Sequence, residues 1–214
     1  MIDRRNCALI RHIREHALLY IVVVTFFFLG IFCGCYVVKH INASQQGELL
    51  NYLDVFLKGL SEWDIDPGAA AQHAVLNNLK IVLYIWFLGL TVIGIPLVLL
   101  IVFARGFVMG FTVGFLVQQK GGAGILIAVL AILPPSFLNI PALIVGAAFA
   151  LTFSGWLVRG RYKYENSPLF KFLGAYCAVM VLIALVSAAA GFIEVYISPT
   201  FLQFFTEVTG TALL

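Results

Sequence analysis

Charge is what this chain has least of. Lys, Arg, Asp and Glu make up 11% of its 214 residues, whereas hydrophobic residues make up 62%. A soluble core of this size cannot hide that much apolar surface. With a mean hydropathy of +1.03, the composition excludes a soluble globular domain and specifies a polytopic membrane protein. A cysteine framework is lacking too. Cys7, Cys33, Cys35 and Cys177 lie in or near apolar stretches, and Cys33 and Cys35, two apart on a helix, point to different faces. No structural disulfide is expected, and the Cys33-Gly34-Cys35 thiols read as small packing residues rather than metal ligands. Ionisable groups inside the apolar runs are missing as well. Arg105 reads as a helix junction, Glu194 as close to a span end, and His12, His16, His40 and His73 fall outside those runs. Intramembrane hydrolysis and proton-coupled transport both need such groups facing a bundle interior. Phosphate-binding loops, nucleophile elbows and zinc-protease motifs are absent. The reading is therefore of a protein that is not an enzyme, with no cofactor and no metal: His12 and His16 share a helical face but have no third ligand. Anionic lipid accounts for the basic residues, and nothing supports a nucleic-acid partner.

What is present is a succession of apolar runs. Residues 1–16 carry Arg4, Arg5, Arg11 and Arg14, with Ile2, Leu9, Ile10 and Ile13 near helical spacing. This is a basic amphipathic lead-in for the cytoplasmic lipid surface. Ala17 to Val38 follows, long enough to cross the roughly 30 Å hydrocarbon layer. It exceeds the usual signal-peptide core and lacks a small-x-small exit, so it reads as a permanent span. The segment 39–78 is the one long polar stretch. In it Leu49, Leu53, Phe56 and Leu60 repeat at helical spacing opposite Glu48, Asp54, Lys58 and Glu62, which predicts an extracytoplasmic amphipathic helix, either a bundle cover or a partner-docking surface. Asp66-Pro67 predicts a helix start.

The next span is predicted over Leu79 to Ala104, kinked at Gly94-Ile95-Pro96 and ending at Arg105. Gly106, Gly110 and Gly114, four apart, form a close-packing face. The region 106–158 is a Gly/Pro-rich core in which Pro134, Pro135 and Pro141 each lack a backbone donor. A polar, flexible turn is predicted over residues 118–124 and a break with re-entry over 125–139, with the Asn139 amide serving the carbonyls the prolines free. Further runs cover Ile140 to Val158 and Leu173 to Ile197, and residues 200–207 read as an interfacial segment. Placing the N-terminus, Arg105 and residues 159–171 inside collects all seven arginines on the cytoplasmic side. The predicted architecture is all-α, a single transmembrane domain with about five transmembrane helices, a proline-broken re-entrant segment and an outer amphipathic helix. A six-span arrangement would put Arg159, Arg161 and Lys163 outside.

Asn77-Asn78-Leu79-Lys80, then Ala104-Arg105-Gly106-Phe107-Val108-Met109-Gly110-Phe111-Thr112-Val113-Gly114, then Leu133-Pro134-Pro135-Ser136-Phe137-Leu138-Asn139-Ile140-Pro141-Ala142 together resemble the stage II sporulation protein M family over most of the chain. Where the broader family has a His-Gly and a Glu in the proline motif, this chain has Pro135-Ser136 and Asn139. The resemblance implies a mother-cell or septal membrane protein of an endospore-forming bacterium. It also implies partners, the peptidoglycan-degrading stage II sporulation proteins D and P, and a role as their anchor in septal thinning and engulfment. The bilayer is the other partner, and self-association into a homo-oligomer stays open. Two alternatives are a small-molecule channel or transporter subunit built on the re-entrant segment, and a lipid-organising protein.

Overall fold

A computed structural model of the protein describes residues 17–40, 47, 67–158 and 169–209. Every element among them is helical: α1 (Ala17–Val38), α2 (Pro67–Gly89), α3 (Gly94–Val158) and α4 (Leu169–Thr209). The lead-in 1–16 and the stripe Leu49, Leu53, Phe56 and Leu60 lie outside the described residues. Among the described residues four stretches are long and apolar enough to cross a membrane, namely Ala17–Val38, Gly94–Gln119, Ser136–Val158 and Phe172–Ile193.

The second predicted span is corrected. Instead of one kinked helix over 79–104, the chain ends α2 at Gly89, turns through residues 90–93 and starts α3 at Gly94. Local chemistry explains the turn. The last carbonyls of α2 find donors close by: Phe87 O accepts from Leu90 N at 3.2 Å and Leu88 O from Thr91 N at 3.0 Å, while the Thr91 hydroxyl donates to Leu88 O at 2.8 Å. From α4, the Tyr176 hydroxyl donates to Trp86 O at 2.9 Å. These bonds satisfy carbonyls that a helix end otherwise leaves open. Gly94 packs so tightly on Leu88 that a Cβ would overlap its carbonyl oxygen. Pro96 then sits in the first turn of α3, where its missing N–H has no acceptor to lose.

The break in the core is also relocated. Within Gly94–Val158 the one residue with non-helical dihedrals is Gly121, at φ 55° and ψ −128°, a conformation that glycine alone adopts readily. Pro134, Pro135 and Pro141 lie in helical backbone. Each removes one bond to the residue four before it, yet the backbone stays helical through all three. The re-entrant break over 125–139 is thus replaced by a helical hairpin whose tip is Gly121.

Contacts between elements set the directions. Phe27 lies against Gly106, Ile31 against Gly110 and Cys35 against Gly114, advancing by four on both helices, so α1 and the first limb of α3 run parallel. Thr91 meets Ser154 and Asn78 meets both Arg105 and Asn139. So α2 runs against the first limb of α3 and alongside the second. Phe172 stacks on Trp156 at 5.7 Å, which brings α4 back from the same end. One end of the bundle gathers the start of α1, the 90–93 turn and the ends of α3 and α4 that face each other; the opposite end holds Val38, Pro67 and Gly121. The core between them includes Val23, Val82, Ile85, Val98, Val102, Ala147, Leu151 and Met180.

This geometry makes a sidedness prediction. Eight of thirteen bases adjoin the first end in sequence, Arg4, Arg5, Arg11, Arg14, Arg159, Arg161, Lys163 and Lys171, so that end is expected to face the cytoplasm. In a protein stripped of native cysteines, Val92→Cys is expected to react with a thiol reagent only after the membrane is opened, and Gln118→Cys from outside intact cells. Labelling of Val92→Cys from outside would refute this orientation, and failure of Val92→Cys to react at all would restore the kinked helix.

Candidate functional site

The correction at residues 90–93 changes the place of Arg105. It stands eleven residues after Gly94 and fourteen before Gln119 in an apolar helix, about 16 and 21 Å from its two ends at about 1.5 Å per residue. The helix junction expected at Arg105 is therefore absent, and an ionisable group does lie well inside a span. A charge at the centre of a spanning helix costs about 2.5–3.5 kcal/mol on insertion scales, so it needs polar company.

That company comes from three other helical segments. The Arg105 guanidinium donates to Asn78 Oδ1 at 3.4 Å. Asn139 Nδ2 donates to the same oxygen at 3.2 Å, and Ser187 Oγ donates to Asn139 Oδ1 at 3.5 Å. Asn78 and Ser187 are buried. Donor and acceptor logic fixes both amides: with a guanidinium and an amide N–H converging on Asn78, the atom facing them has to be its oxygen. One side chain each from α2, both limbs of α3 and α4 is thereby tied at one depth. Asn139 bonds Asn78 and Ser187, not the carbonyls freed by the prolines, which is a further correction.

The polar group opens onto a cavity of about 230 Å³, lined also by Thr112, Ser136 and apolar side chains such as Val82, Met109, Leu143 and Met180. Asn78 Nδ2 is buried there without a hydrogen-bond partner. An unpaired buried donor costs about 1–3 kcal/mol, so this amide marks the place where the cavity offers most to a ligand with acceptor atoms.

Other residues singled out in the sequence lie elsewhere. Gly106 and Gly110 face α1, and a Cβ on either would overlap the carbonyl oxygen of Phe27 or Ile31 respectively. Gly30 and Gly34 on α1 make the reciprocal approach to Phe103 and Phe107, while a Cβ at Gly114 would lie 3.3 Å from Cys35 Cα. The thiol of Cys35 donates to Gly110 O at 3.1 Å. Phe103, Phe107, Phe111 and Phe115 form a ladder along α3 with centroids 6.3 to 6.4 Å apart. Of the candidate core residues whose side chains are described, Asn139 alone lines the cavity. Sequence reading missed Asn78, Arg105 and Ser187. The signal was there for two of them: an amide pair, Asn77-Asn78, in a helix otherwise turning apolar, and an arginine between two long apolar runs.

Among the described residues no group of three His, Cys, Asp or Glu side chains is placed to hold a metal ion. A model of the family described as Stage II sporulation protein M matches residues 23–199. No curated protein and no solved structure matches the chain.

Proposed function

Since the chain belongs to the stage II sporulation protein M family, we propose that this multi-pass membrane protein is a non-catalytic scaffold in the mother-cell and septal membrane. There it anchors and organises the peptidoglycan hydrolases of septal thinning and engulfment, stage II sporulation proteins D and P. The family match over residues 23–199 carries the reading. The fold supports it in one respect. Val38 and Pro67, the points between which residues 39–66 are strung, lie at the same end of the bundle, and α1 is fixed to α3 by direct backbone approach at Gly30, Gly34, Gly106 and Gly110. The close seating of α1 on α3 anchors the first of those two points, and Leu49, Leu53, Phe56 and Leu60 would be the docking stripe of the segment between them.

Wall hydrolases that co-purify with the tagged protein from sporulating membranes test the reading. Each of the four stripe side chains is worth about 1.5–3 kcal/mol when fully buried, so Leu53→Ser with Phe56→Ser is expected to remove most hydrolase capture while the protein still inserts, its spans folding by their own packing. Unchanged capture and normal engulfment by that variant would remove the stripe from the docking surface. Absence of any wall hydrolase from the wild-type eluate would remove the scaffold reading itself.

A further inference from the structure

We propose that the cavity between α2, α3 and α4 is a binding site for one oxyanionic group, a carboxylate or a phosphate. The proposal is independent of the scaffold reading. The cavity has a fixed positive charge, since a guanidinium does not deprotonate in proteins. It also has a donor with no partner: Asn78 is 4% exposed and its Nδ2 makes no hydrogen bond. Ser136 adds a hydroxyl to the lining, whereas the Thr112 hydroxyl already donates to Val108 O at 2.9 Å. Charge, amide N–H and hydroxyl around one space are complementary to a compact anion with several acceptor oxygens. A neutral apolar ligand would leave the amide unpaired, and a cation would meet Arg105.

Size and access narrow the class. At about 230 Å³ the space falls below the roughly 300–1,000 Å³ of sites for drug-sized ligands, so it suits a small solute or the head of a larger amphiphile. Val108, on the cavity wall, is 59% exposed on the outside of the helix bundle, which leaves a lateral route as well as an axial one. The same anionic chemistry could arrive on a free solute or on a lipid, and the experiment separates the two.

Full-length protein in maltoside detergent is melted with sodium phosphate, sodium acetate or, at matched ionic strength, sodium chloride, and native mass spectrometry measures the phospholipid it retains. The informative variant is Asn78→Asp. It keeps the oxygen that Arg105 and Asn139 share, replaces the unpaired donor with a second acceptor and sets a carboxylate beside the guanidinium, so the bundle should still fold. Wild type is expected to be stabilised by phosphate or acetate beyond chloride, with apparent affinity about tenfold or more weaker in Asn78→Asp; this outcome identifies a free solute. Phospholipid retained by wild type and lost from Asn78→Asp identifies a lipid ligand. Arg105→Gln, which keeps an N–H for Asn78 and removes the charge, should lose the same response and serves if Asn78→Asp does not accumulate. The proposal is overturned if wild type shows neither response, if chloride acts as strongly as the oxyanions, or if both variants behave as wild type; the cavity is then a hydrated gap.

Discussion

Gly110→Leu is expected to leave almost no folded protein in the membrane. A Cβ at position 110 would overlap the Ile31 carbonyl oxygen and come within 2.7 Å of Ile31 Cα. Both are backbone atoms, so no rotamer change makes room. Overpacking a flexible core costs about 1–3 kcal/mol; here the whole of α1 would have to retreat, breaking the reciprocal contacts of Gly30, Gly34 and Gly106 with it. The expected loss exceeds about 3 kcal/mol, a large part of the stability of a typical domain. Gly114→Ala, with 3.3 Å to Cys35 Cα, should cost much less. Gly174→Ala, where a Cβ meets nothing within 4 Å, should be neutral or slightly stabilising. Membrane-fraction abundance and melting in detergent measure the series. Were Gly110→Leu to accumulate and melt like wild type, the parallel seating of α1 on α3 would be wrong.

Asn78→Leu should be the other severe substitution, and a conditional one. It removes the oxygen to which both Arg105 and Asn139 donate. An arginine is left short of an acceptor in an apolar helix, along with a stranded amide. Removing one partner from a buried charged interaction costs about 3–5 kcal/mol, whereas replacing all members with apolar side chains is often close to neutral. Asn78→Leu combined with Arg105→Met and Asn139→Leu is therefore expected to recover most of the stability that Asn78→Leu loses. Melting midpoints of the single and triple variants form the test. Strictly additive losses would show that the four helical segments are not coupled through this cluster.

The first span, the helix start at Asp66-Pro67 and the all-helical membrane class were legible in the sequence because each depends on composition or on neighbours within one turn. The Gly94-Ile95-Pro96 stretch was legible as a disturbance but not as a reversal. A proline inside a continuous helix and a proline in the first turn of a new one have the same sequence signature. The reversal is selected by Tyr176, Thr91 and Ser154 satisfying carbonyls around the turn, and two of those three are distant in the chain. The prolines misled in the opposite sense. They predict a break over 125–139, yet that stretch is helical and the bend falls at Gly121, within the turn predicted over residues 118–124, where the backbone takes a φ of 55°.

Hydropathy by itself determined that this chain belongs in a bilayer, because transfer of a residue into hydrocarbon depends on that residue and its near neighbours. Only the tertiary structure decided that Asn78, Arg105, Asn139 and Ser187, up to 109 positions apart, share one depth and one cavity. The reason is that a buried polar group is stable only against a partner. Which partner it meets is set by helix direction and register, and those follow from backbone contacts such as Phe27 with Gly106 and Ile31 with Gly110, to which no local pattern refers.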